Sequence, residues 1–174
     1  PLTEWISYLN YINKRRECVK KINISEALKT SITEYIQGRE ERKLEEPFMG
    51  LIQYGEEPPV ESVIKKANTY IDPSFEGEAI LSVGKAIDFI DKGVSGIINV
   101  MPFTCMPGTI ASAALRLVQK KYNVPIINLS YDGQGLTNIT TRLEAFMYQV
   151  REHFSHSASL SNRDYVMSSR RGSR

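Results

Sequence analysis

Residues 95–108 read Ser-Gly-Ile-Ile-Asn-Val-Met-Pro-Phe-Thr-Cys-Met-Pro-Gly, and residues 124–138 read Val-Pro-Ile-Ile-Asn-Leu-Ser-Tyr-Asp-Gly-Gln-Gly-Leu-Thr-Asn. The short apolar runs at 96–100 and 125–129 are typical of buried parallel strands, and the segment 109–121 between them has the length of a helix. Because parallel strands need a crossover connection, the pattern predicts a βαβ unit.

Each predicted strand is followed by a loop rich in Gly, Pro and small polar residues, at 103–108 and at 131–138. Ligands of an open parallel sheet bind outside the carboxyl ends of its strands. We therefore expect the two loops to lie side by side at one edge of the sheet, and we expect the chemistry of the protein there.

Helical spacing of apolar residues covers most of the chain before this unit. The predicted helices span 3–22, a segment that opens at Ser25, a short piece at 60–67 and a longer one at 77–92. Gly38 is expected to end the second helix, and the charged run 39–46 is expected to form an exposed helical extension that ends before Pro47. Gly84 lies inside a helix and indicates that another backbone comes close.

Smaller features complete the organisation of the chain. Residues 48–54 are apolar and fit either a helix or a strand, and 72–74 read as a turn. In the short helix the positions predicted to face inward are Val60, Val63, Ile64 and Ala67. After Phe154 the apolar periodicity stops, and 155–174, rich in Ser and Arg, is predicted to be a disordered tail.

The sequence thus predicts an α/β fold with a Rossmann-like parallel βαβ core and additional N-terminal helices. One domain is expected over 1–154, with a helical N-terminal part at 1–46 and the Rossmann-like core at 47–154. The tail at 155–174 follows it.

Composition argues against a nucleic-acid partner and against a membrane segment. The formal net charge is +2, but 151–174 holds five Lys or Arg residues and two acidic ones, so the body is close to neutral. No run reaches the roughly 18 uninterrupted apolar residues that a membrane span needs. Two cysteines without Cys-x-x-Cys spacing favour a reducing cytoplasm over a disulfide framework. The chain does not begin with Met, which fits processing or a fragment of a longer protein.

Cys105 is the strongest candidate for chemistry. It lies just before the crossover helix, predicted to start at Gly108 or Thr109, and a helix N-terminus favours the thiolate, which is both a nucleophile and a soft metal ligand. A lone cysteine is also often a small buried apolar residue. Cys18 lies mid-helix in a basic segment, and we interpret it as structural.

Several sharper motifs are absent from the sequence. His153 and His156 lie next to the predicted tail, so the body offers no Cys–His pair. Ala111 stands where the phosphate loop of a Cys-based phosphatase has Arg, and neither G-x-G-x-x-G nor the P-loop pattern occurs. One cysteine cannot complete a zinc or iron–sulfur site, so further ligands would have to come from Cys18, a second copy or a missing segment.

The second loop offers polar side chains and two glycines. The polar candidates are Asp132, Gln134, Thr137 and Asn138, with Gly133 and Gly135 between them. These residues fit ligand contact and turn or helix-cap roles equally well.

Three motifs between residues 77 and 150 carry a family resemblance. They read Gly-Glu-Ala-Ile-Leu-Ser-Val-Gly-Lys-Ala at 77–86, Asn-Val-Met-Pro-Phe-Thr-Cys-Met-Pro-Gly-Thr-Ile at 99–110 and Thr-Arg-Leu-Glu-Ala-Phe-Met-Tyr-Gln-Val at 141–150. In this order they closely resemble the C-terminal part of large acyl-CoA dehydratase activase-related proteins. Those proteins are similar to the activator and components of 2-hydroxyglutaryl-CoA dehydratase and of benzoyl-CoA reductase. The first 76 residues carry less of the signature, and the tail carries none.

The resemblance implies Rossmann-like subdomains in which cysteines at strand ends hold an iron–sulfur cluster. Carried over, Cys105 would be one cluster ligand. Its loop would be shaped by Thr104, Pro107 and Gly108 and flanked by Asp132, Gln134 and Thr137. The implied function is ATP-driven, low-potential electron transfer to an acyl-CoA dehydratase or related reductase in an anaerobe's cytoplasm. The implied partners also include the ATPase activase modules of the parent protein and, in a homodimer, a second copy of the chain.

This chain departs from the family in two ways, which leaves two rival hypotheses open. It has no ATPase signature, and it lacks the further cysteines that a cluster needs, so we expect a fragment that holds one side of the site. One rival is a non-redox module whose two loops bind a small ligand or a CoA group. The other is a thiol enzyme that uses Cys105 as its nucleophile.

Overall fold

The structure is a computed structural model that describes residues 2–19, 24–48, 58–133 and 138–171. It is a mixed α/β structure with a small parallel sheet. In chain order the elements are α1 (Leu2–Val19), α2 (Ile24–Glu45), a 3-10 turn (Glu46–Phe48), α3 (Val60–Ala67), α4 (Glu78–Asp91), β1 (Ile97–Pro102), α5 (Met106–Tyr122), β2 (Ile126–Tyr131) and α6 (Ile139–Arg171). Of the helices in these ranges, none is long and apolar enough to cross a membrane.

The chain divides into two compact units, Pro1–Gly84 and Lys85–Arg174. The division falls inside α4, whereas the sequence predicts one domain over 1–154 with an internal boundary after residue 46. Of the apolar segment predicted at 48–54, only residue 48 lies within the described residues. The two units are taken in turn below.

In the first unit, α2 continues through Gly38, so the prediction that this glycine ends the helix is wrong. Glycine in a helix interior costs about 1 kcal/mol relative to alanine. The residues that follow are strong helix formers, and the Nε atom of Arg42 donates to the carbonyl oxygen of Gly38 at 3.1 Å. The high helix propensity of residues 39–45 outweighs the cost of one glycine. The helix ends at Glu45, directly before the 3-10 turn that contains Pro47.

Helix α3 confirms the predicted amphipathic pattern. Its four predicted inward residues are all buried, and Val63 and Ala67 have no exposed surface. A Cβ atom built on Gly84 would clash with the carbonyl oxygen of Val63 and would lie 2.7 Å from its Cγ1 atom. This confirms that another backbone comes close to Gly84, and it explains why α4 has no side chain there.

The turn that follows α3 is held by α1. The hydroxyl of Tyr8 accepts a hydrogen bond from the backbone N–H of Gly77 at 2.8 Å, and Arg16 forms an ion pair with Glu76. Within the turn, the backbone N–H of Ser74 donates to Oδ1 of Asp72 at 2.8 Å, which confirms the predicted turn.

The pKa of Asp72 lies below its ordinary value because the side chain and the backbone N–H of Ser74 donate to the carboxylate, with a smaller effect of the Arg15 charge. A depressed folded-state pKa stabilises the fold above the unfolded value, and this contribution is lost as the pH falls through the folded value. We expect Ser74→Ala to raise the pKa of Asp72 toward its ordinary value in an NMR titration. Ser74→Thr, which keeps a hydroxyl, should leave the pKa low; equal values in both variants would contradict this assignment.

In the second unit, β1 and β2 are parallel and are connected by α5, which confirms the predicted βαβ unit. The register places Ile97 opposite Ile126 and ends with Pro102 opposite Tyr131. Within the described residues the sheet has these two strands. Both strands extend past the predicted runs, so the sheet ends closer to the loops than the apolar pattern alone indicates.

Helix α5 packs on the sheet, and its buried apolar residues are Ala111, Ala114, Leu115 and Val118. Its C-terminal end is capped by Asn123, which adopts a left-handed conformation with φ of 55° and donates from its backbone N–H to the carbonyl oxygen of Gln119 at 2.8 Å. Left-handed caps of this kind satisfy carbonyl groups at helix ends, and Asn tolerates the conformation better than most residues.

Helix α6 packs at the start of β1, where a Cβ atom on Gly96 would meet the side chains of Val150 and Phe146. The helix continues to Arg171, well past Phe154 and into the segment that the sequence predicts to be disordered. No Pro or Gly occurs between 155 and 171, so nothing in that segment interrupts the helical backbone.

The edge strand β1 alternates between half-buried and exposed residues. The exposed positions include Ile98 and Val100, with 46% and 60% of their surface accessible. Leu129, the β2 register partner of Val100, is by contrast buried at 1%, and Ile127, the partner of Ile98, is half-buried. This apolar face is therefore more covered over β2 than over β1.

Candidate functional site

The starts of the two predicted loops, at Phe103 and Tyr131, lie side by side at the carboxyl ends of the strands. The backbone N–H of Phe103, directly after β1, donates to the carbonyl oxygen of Tyr131, the last residue of β2, at 2.8 Å. The backbone N–H of Cys105 then donates to the carbonyl oxygen of Pro102 at 3.2 Å. The turn after β1 is thus attached to the end of β2, and it places Cys105 at this edge of the sheet.

Cys105 is the N-cap of α5. Its Sγ atom accepts a hydrogen bond from the backbone N–H of Gly108 at 3.4 Å, and its carbonyl oxygen accepts from the backbone N–H of Thr109 at 2.9 Å. The thiol takes the place that Ser, Thr, Asp or Asn usually occupies at a helix start. The hydrogen bond from Gly108 fixes the position of the sulfur at the first turn of α5.

The helix begins earlier than predicted, at Met106 rather than at Gly108 or Thr109. Pro107 fits the first turn because the N–H groups there have no partner inside the helix. Gly108 is required by packing, since a Cβ atom on it would lie 2.7 Å from the sulfur of Met101. Pro107 and Gly108, both expected to shape the loop, therefore belong to the helix whose first turn faces the thiol.

Thr104 holds the bend that turns the chain from β1 into α5. It has a φ of 62°, in the left-handed region that is costly for a residue with a Cβ atom. Its Oγ1 atom donates to the carbonyl oxygen of Phe103 at 2.6 Å, which offsets part of that cost. The side chain of Thr104 is exposed. Thr104 therefore forms part of the turn that leads to Cys105.

The second loop contributes fewer described residues. Asp132 follows β2 directly and is exposed, and Gly133 has a φ of 81°. Gln134 and Thr137, the other two predicted site residues, lie outside the described residues. The structure therefore brings Asp132 to the same sheet edge as the Cys105 turn.

The half-buried Cys105 has exposed apolar residues near it along the chain and at the end of the neighbouring strand. Phe103 and Met106, its neighbours along the chain, have 61% and 71% of their surface accessible. Tyr131 at the end of β2 is also exposed. The apolar side chains of this edge are therefore accessible to a partner surface or to a ligand.

Sequence reasoning missed a polar cluster beneath this site. Nδ2 of Asn99 donates to Oδ1 of Asn128 at 2.9 Å, and it also lies 3.4 Å from Oγ of Ser112 on α5. Nη2 of Arg142 on α6 donates to the carbonyl oxygen of Asn128 at 2.7 Å. The signal that could have found it is the triplet Ile-Ile-Asn, which occurs at 97–99 and again at 126–128.

Among the described residues, this edge offers the thiol of Cys105 and the carboxylate of Asp132. Among the side chains that the structure describes, no group of three or more His, Cys, Asp or Glu residues could hold a metal ion. An iron–sulfur cluster is usually held by four cysteines. The described residues therefore supply one ligand and do not complete a cluster site by themselves.

No family model, curated protein or solved structure matches this chain. Function is therefore inferred from the geometry of the sheet edge and from the sequence motifs.

Proposed function

We propose that this chain is a fragment of an acyl-CoA dehydratase activase-related protein and that Cys105 contributes one thiolate to an iron–sulfur cluster. The cluster serves ATP-driven, low-potential electron transfer to a 2-hydroxyacyl-CoA dehydratase or a related reductase in the cytoplasm. The observation that carries the proposal is the half-buried Cys105 thiol, which caps α5 at the carboxyl end of β1 and accepts the N–H of Gly108.

The position of the thiol supports a ligand role. Carboxyl ends of parallel strands are where α/β sheets bind their ligands. The N–H of Gly108, which donates to the sulfur, and the first turn of α5 fix the position of Sγ at this edge. The thiolate is the form of cysteine that binds iron. The strained turn at Thr104 supports the proposal too, because backbone strain is concentrated at functional sites.

The open side of the sheet supports the view that the chain is part of a larger assembly. Parallel sheets occur almost only where both faces are covered, yet Ile98 and Val100 are exposed on β1. We propose that the βαβ unit belongs to a larger Rossmann-like sheet. The remaining cluster ligands and the ATPase activase modules then belong to other parts of the parent protein, or to a second copy in a homodimer.

In the proposed function, this chain provides one cysteine ligand of the cluster and the residues that position it. The N-cap geometry orients the sulfur of Cys105, and the exposed rings and chains of Phe103 and Met106 shield it from water once a partner packs on them. When bound, the cluster supplies one-electron transfer at low potential.

We expect Cys105→Ala to abolish iron binding in the longer protein that contains this chain. That protein is reconstituted anaerobically with iron and sulfide, and bound iron and visible absorption are measured. Removing a thiolate ligand leaves the cluster one bond short, so both signals should fall close to zero. Cys18→Ala is the matched control, and it should retain the iron and the absorption of the wild-type protein.

Two outcomes would overturn the proposal. Iron binding that survives Cys105→Ala would show that Cys105 is not a ligand. A wild-type protein that stays colourless and free of iron would contradict the cluster hypothesis. The non-redox alternative, a small-ligand or CoA site at the same sheet edge, would then be favoured.

A further inference from the structure

The turn that joins β1 to α5 has a backbone conformation that its sequence does not favour. It runs from Pro102 to Cys105 and is closed by the backbone N–H of Cys105, which donates to the carbonyl oxygen of Pro102 at 3.2 Å. Thr104, the third residue of the turn, has a φ of 62°, whereas the φ of Phe103, the second residue, is negative. A negative φ followed by a positive φ is the pattern of a type II turn.

Threonine is poorly suited to the third position of a type II turn. That position requires a positive φ and is usually Gly or Asn, and for a side chain branched at Cβ the left-handed region is a genuine outlier. Asn123, the other non-glycine residue with a positive φ among the described residues, is of a type that tolerates the conformation. A type I turn has a negative φ at both central residues, so it would relieve the strain at Thr104.

One hydrogen bond opposes that change. Oγ1 of Thr104 donates to the carbonyl oxygen of Phe103 at 2.6 Å. This carbonyl belongs to the peptide group between Phe103 and Thr104, which is the group that rotates when a type II turn becomes a type I turn. The strain of a left-handed threonine and the net contribution of one hydrogen bond are similar in size. The two forms of the turn are therefore close in free energy.

The other hydrogen bonds of the turn are compatible with both forms. The backbone N–H of Phe103 donates to the carbonyl oxygen of Tyr131, and that of Cys105 donates to Pro102. Both bonds use the peptide groups on either side of the one that rotates, so rotation retains them. Phe103 and Thr104 are also exposed. The rotation therefore requires no rearrangement of the sheet or of α5.

We propose that the peptide group between Phe103 and Thr104 is a conformational switch beside Cys105, with a type II and a type I form. Rotation exchanges the places of the Phe103 carbonyl oxygen and the Thr104 N–H. Because a peptide group has a dipole of about 3.5 D, the rotation reverses a dipole next to the residue that holds the thiol. A charged ligand bound at Cys105 thus shifts the balance between the two forms. By linkage, the form of the turn changes the affinity for that ligand.

The test is NMR spectroscopy of the isotope-labelled full chain without iron. The ψ of residue 103 is about 120° in a type II turn and about −30° in a type I turn. The Thr104 N–H is consequently close to Hα of Phe103 in the first form and to the Phe103 N–H in the second, so nuclear Overhauser effects distinguish them. We expect type II as the major form and about 1–10% of type I, detected by relaxation dispersion on the microsecond to millisecond timescale.

Substitutions of Thr104 test the two opposing contributions. Thr104→Gly removes the strain and should leave type II alone, because glycine suits this position. Thr104→Val keeps the branched Cβ but lacks the hydroxyl, so it should raise the ratio of type I to type II about fivefold. Thr104→Ser, which keeps a hydroxyl that can donate to Phe103, is the control and should keep type II as the major form.

A matched pair at residue 105 tests the coupling to charge. Asp and Asn have the same shape and are both good N-cap residues, so Cys105→Asp and Cys105→Asn differ by one negative charge at the start of α5. Their ratios of type I to type II should differ about threefold, because the charge lies beside the dipole that rotates.

The switch does not require the cluster, so the two proposals fail separately. A wild-type chain with the type II pattern alone and no exchange would overturn the switch, and this measurement needs no substitution. A Thr104→Val variant with the wild-type ratio would overturn it as well. Equal ratios in Cys105→Asp and Cys105→Asn would overturn the coupling to residue 105. None of these results would bear on iron binding by Cys105.

Discussion

Gly84→Ala is expected to destabilise the unit Pro1–Gly84 by about 3 kcal/mol. The added methyl group would clash with the carbonyl oxygen of Val63, a backbone atom that no side-chain rotation can move away. The two helices would have to separate, which would expose apolar residues of α3 and α4 that are now buried. The gain in helix propensity from alanine, about 1 kcal/mol, offsets only part of this cost.

The measurement is urea unfolding followed by the fluorescence of Trp5, the single tryptophan of the chain. Trp5 lies on α1 with its ring centroid 5.4 Å from that of Tyr8, so its emission reports on the first unit. The matched control is Gly38→Ala, the same substitution inside another helix, where the methyl group would meet no atom within 4 Å. It should stabilise the unit by up to about 1 kcal/mol. If both variants shift the midpoint in the same direction, helix propensity rather than the close approach at Gly84 controls the stability.

Leu115→Ala is expected to cost about 3 kcal/mol of the stability of the second unit. Leu115 lies on the face of α5 that packs on the sheet, and only 1% of its surface is accessible. Truncation removes buried methyl groups and leaves a cavity between the helix and the strands. Because the sheet is small, few other side chains can fill this cavity.

Leu117→Ala on the same helix is the control, because 58% of the Leu117 surface is accessible. It should change stability by less than about 0.5 kcal/mol. Amide hydrogen exchange of the β1 and β2 backbone measures the difference, since those N–H groups are protected only while the second unit is folded. Equal loss of protection in the two variants would mean that α5 does not pack on the sheet through Leu115.

The βαβ unit was predictable because its two strands are apolar runs separated by a segment of helical length. The inward face of α3 was predictable for a similar reason, since its apolar positions keep helical spacing. The extent of α2 was not predictable from Gly38, because the strong helix formers that follow this glycine continue the helix through it. Likewise, the apolar pattern says nothing about the continuation of α6, which depends on the absence of residues that break a helix.

At the candidate site, the sequence located Cys105 and the neighbouring loops through their place after the strands. It did not predict that Cys105 caps α5, because a thiol is an unusual N-cap and Pro107 was expected to precede the helix. The left-handed conformation of Thr104 was also not predictable from the sequence, since Thr seldom adopts a positive φ. The pairing of Asn99 with Asn128 depends on the strand register, which only the structure gives.

That pairing has a consequence for how the chain finds its native alignment. Both strands carry Ile-Ile-Asn, and the native register sets the two triplets against each other, so that each Asn amide meets the other. A shift by two residues keeps the same faces inward but places the Asn99 amide opposite Ile126 or Ser130, so the part-buried hydrogen bond between the two Asn side chains is lost. The same triplet on two strands also means that β1 of one molecule matches β1 of another as well as it matches β2. At high protein concentration during refolding, β1 of one molecule therefore competes with β2 of its own chain for pairing with β1 of another molecule. In dilute solution, pairing within one chain is favoured.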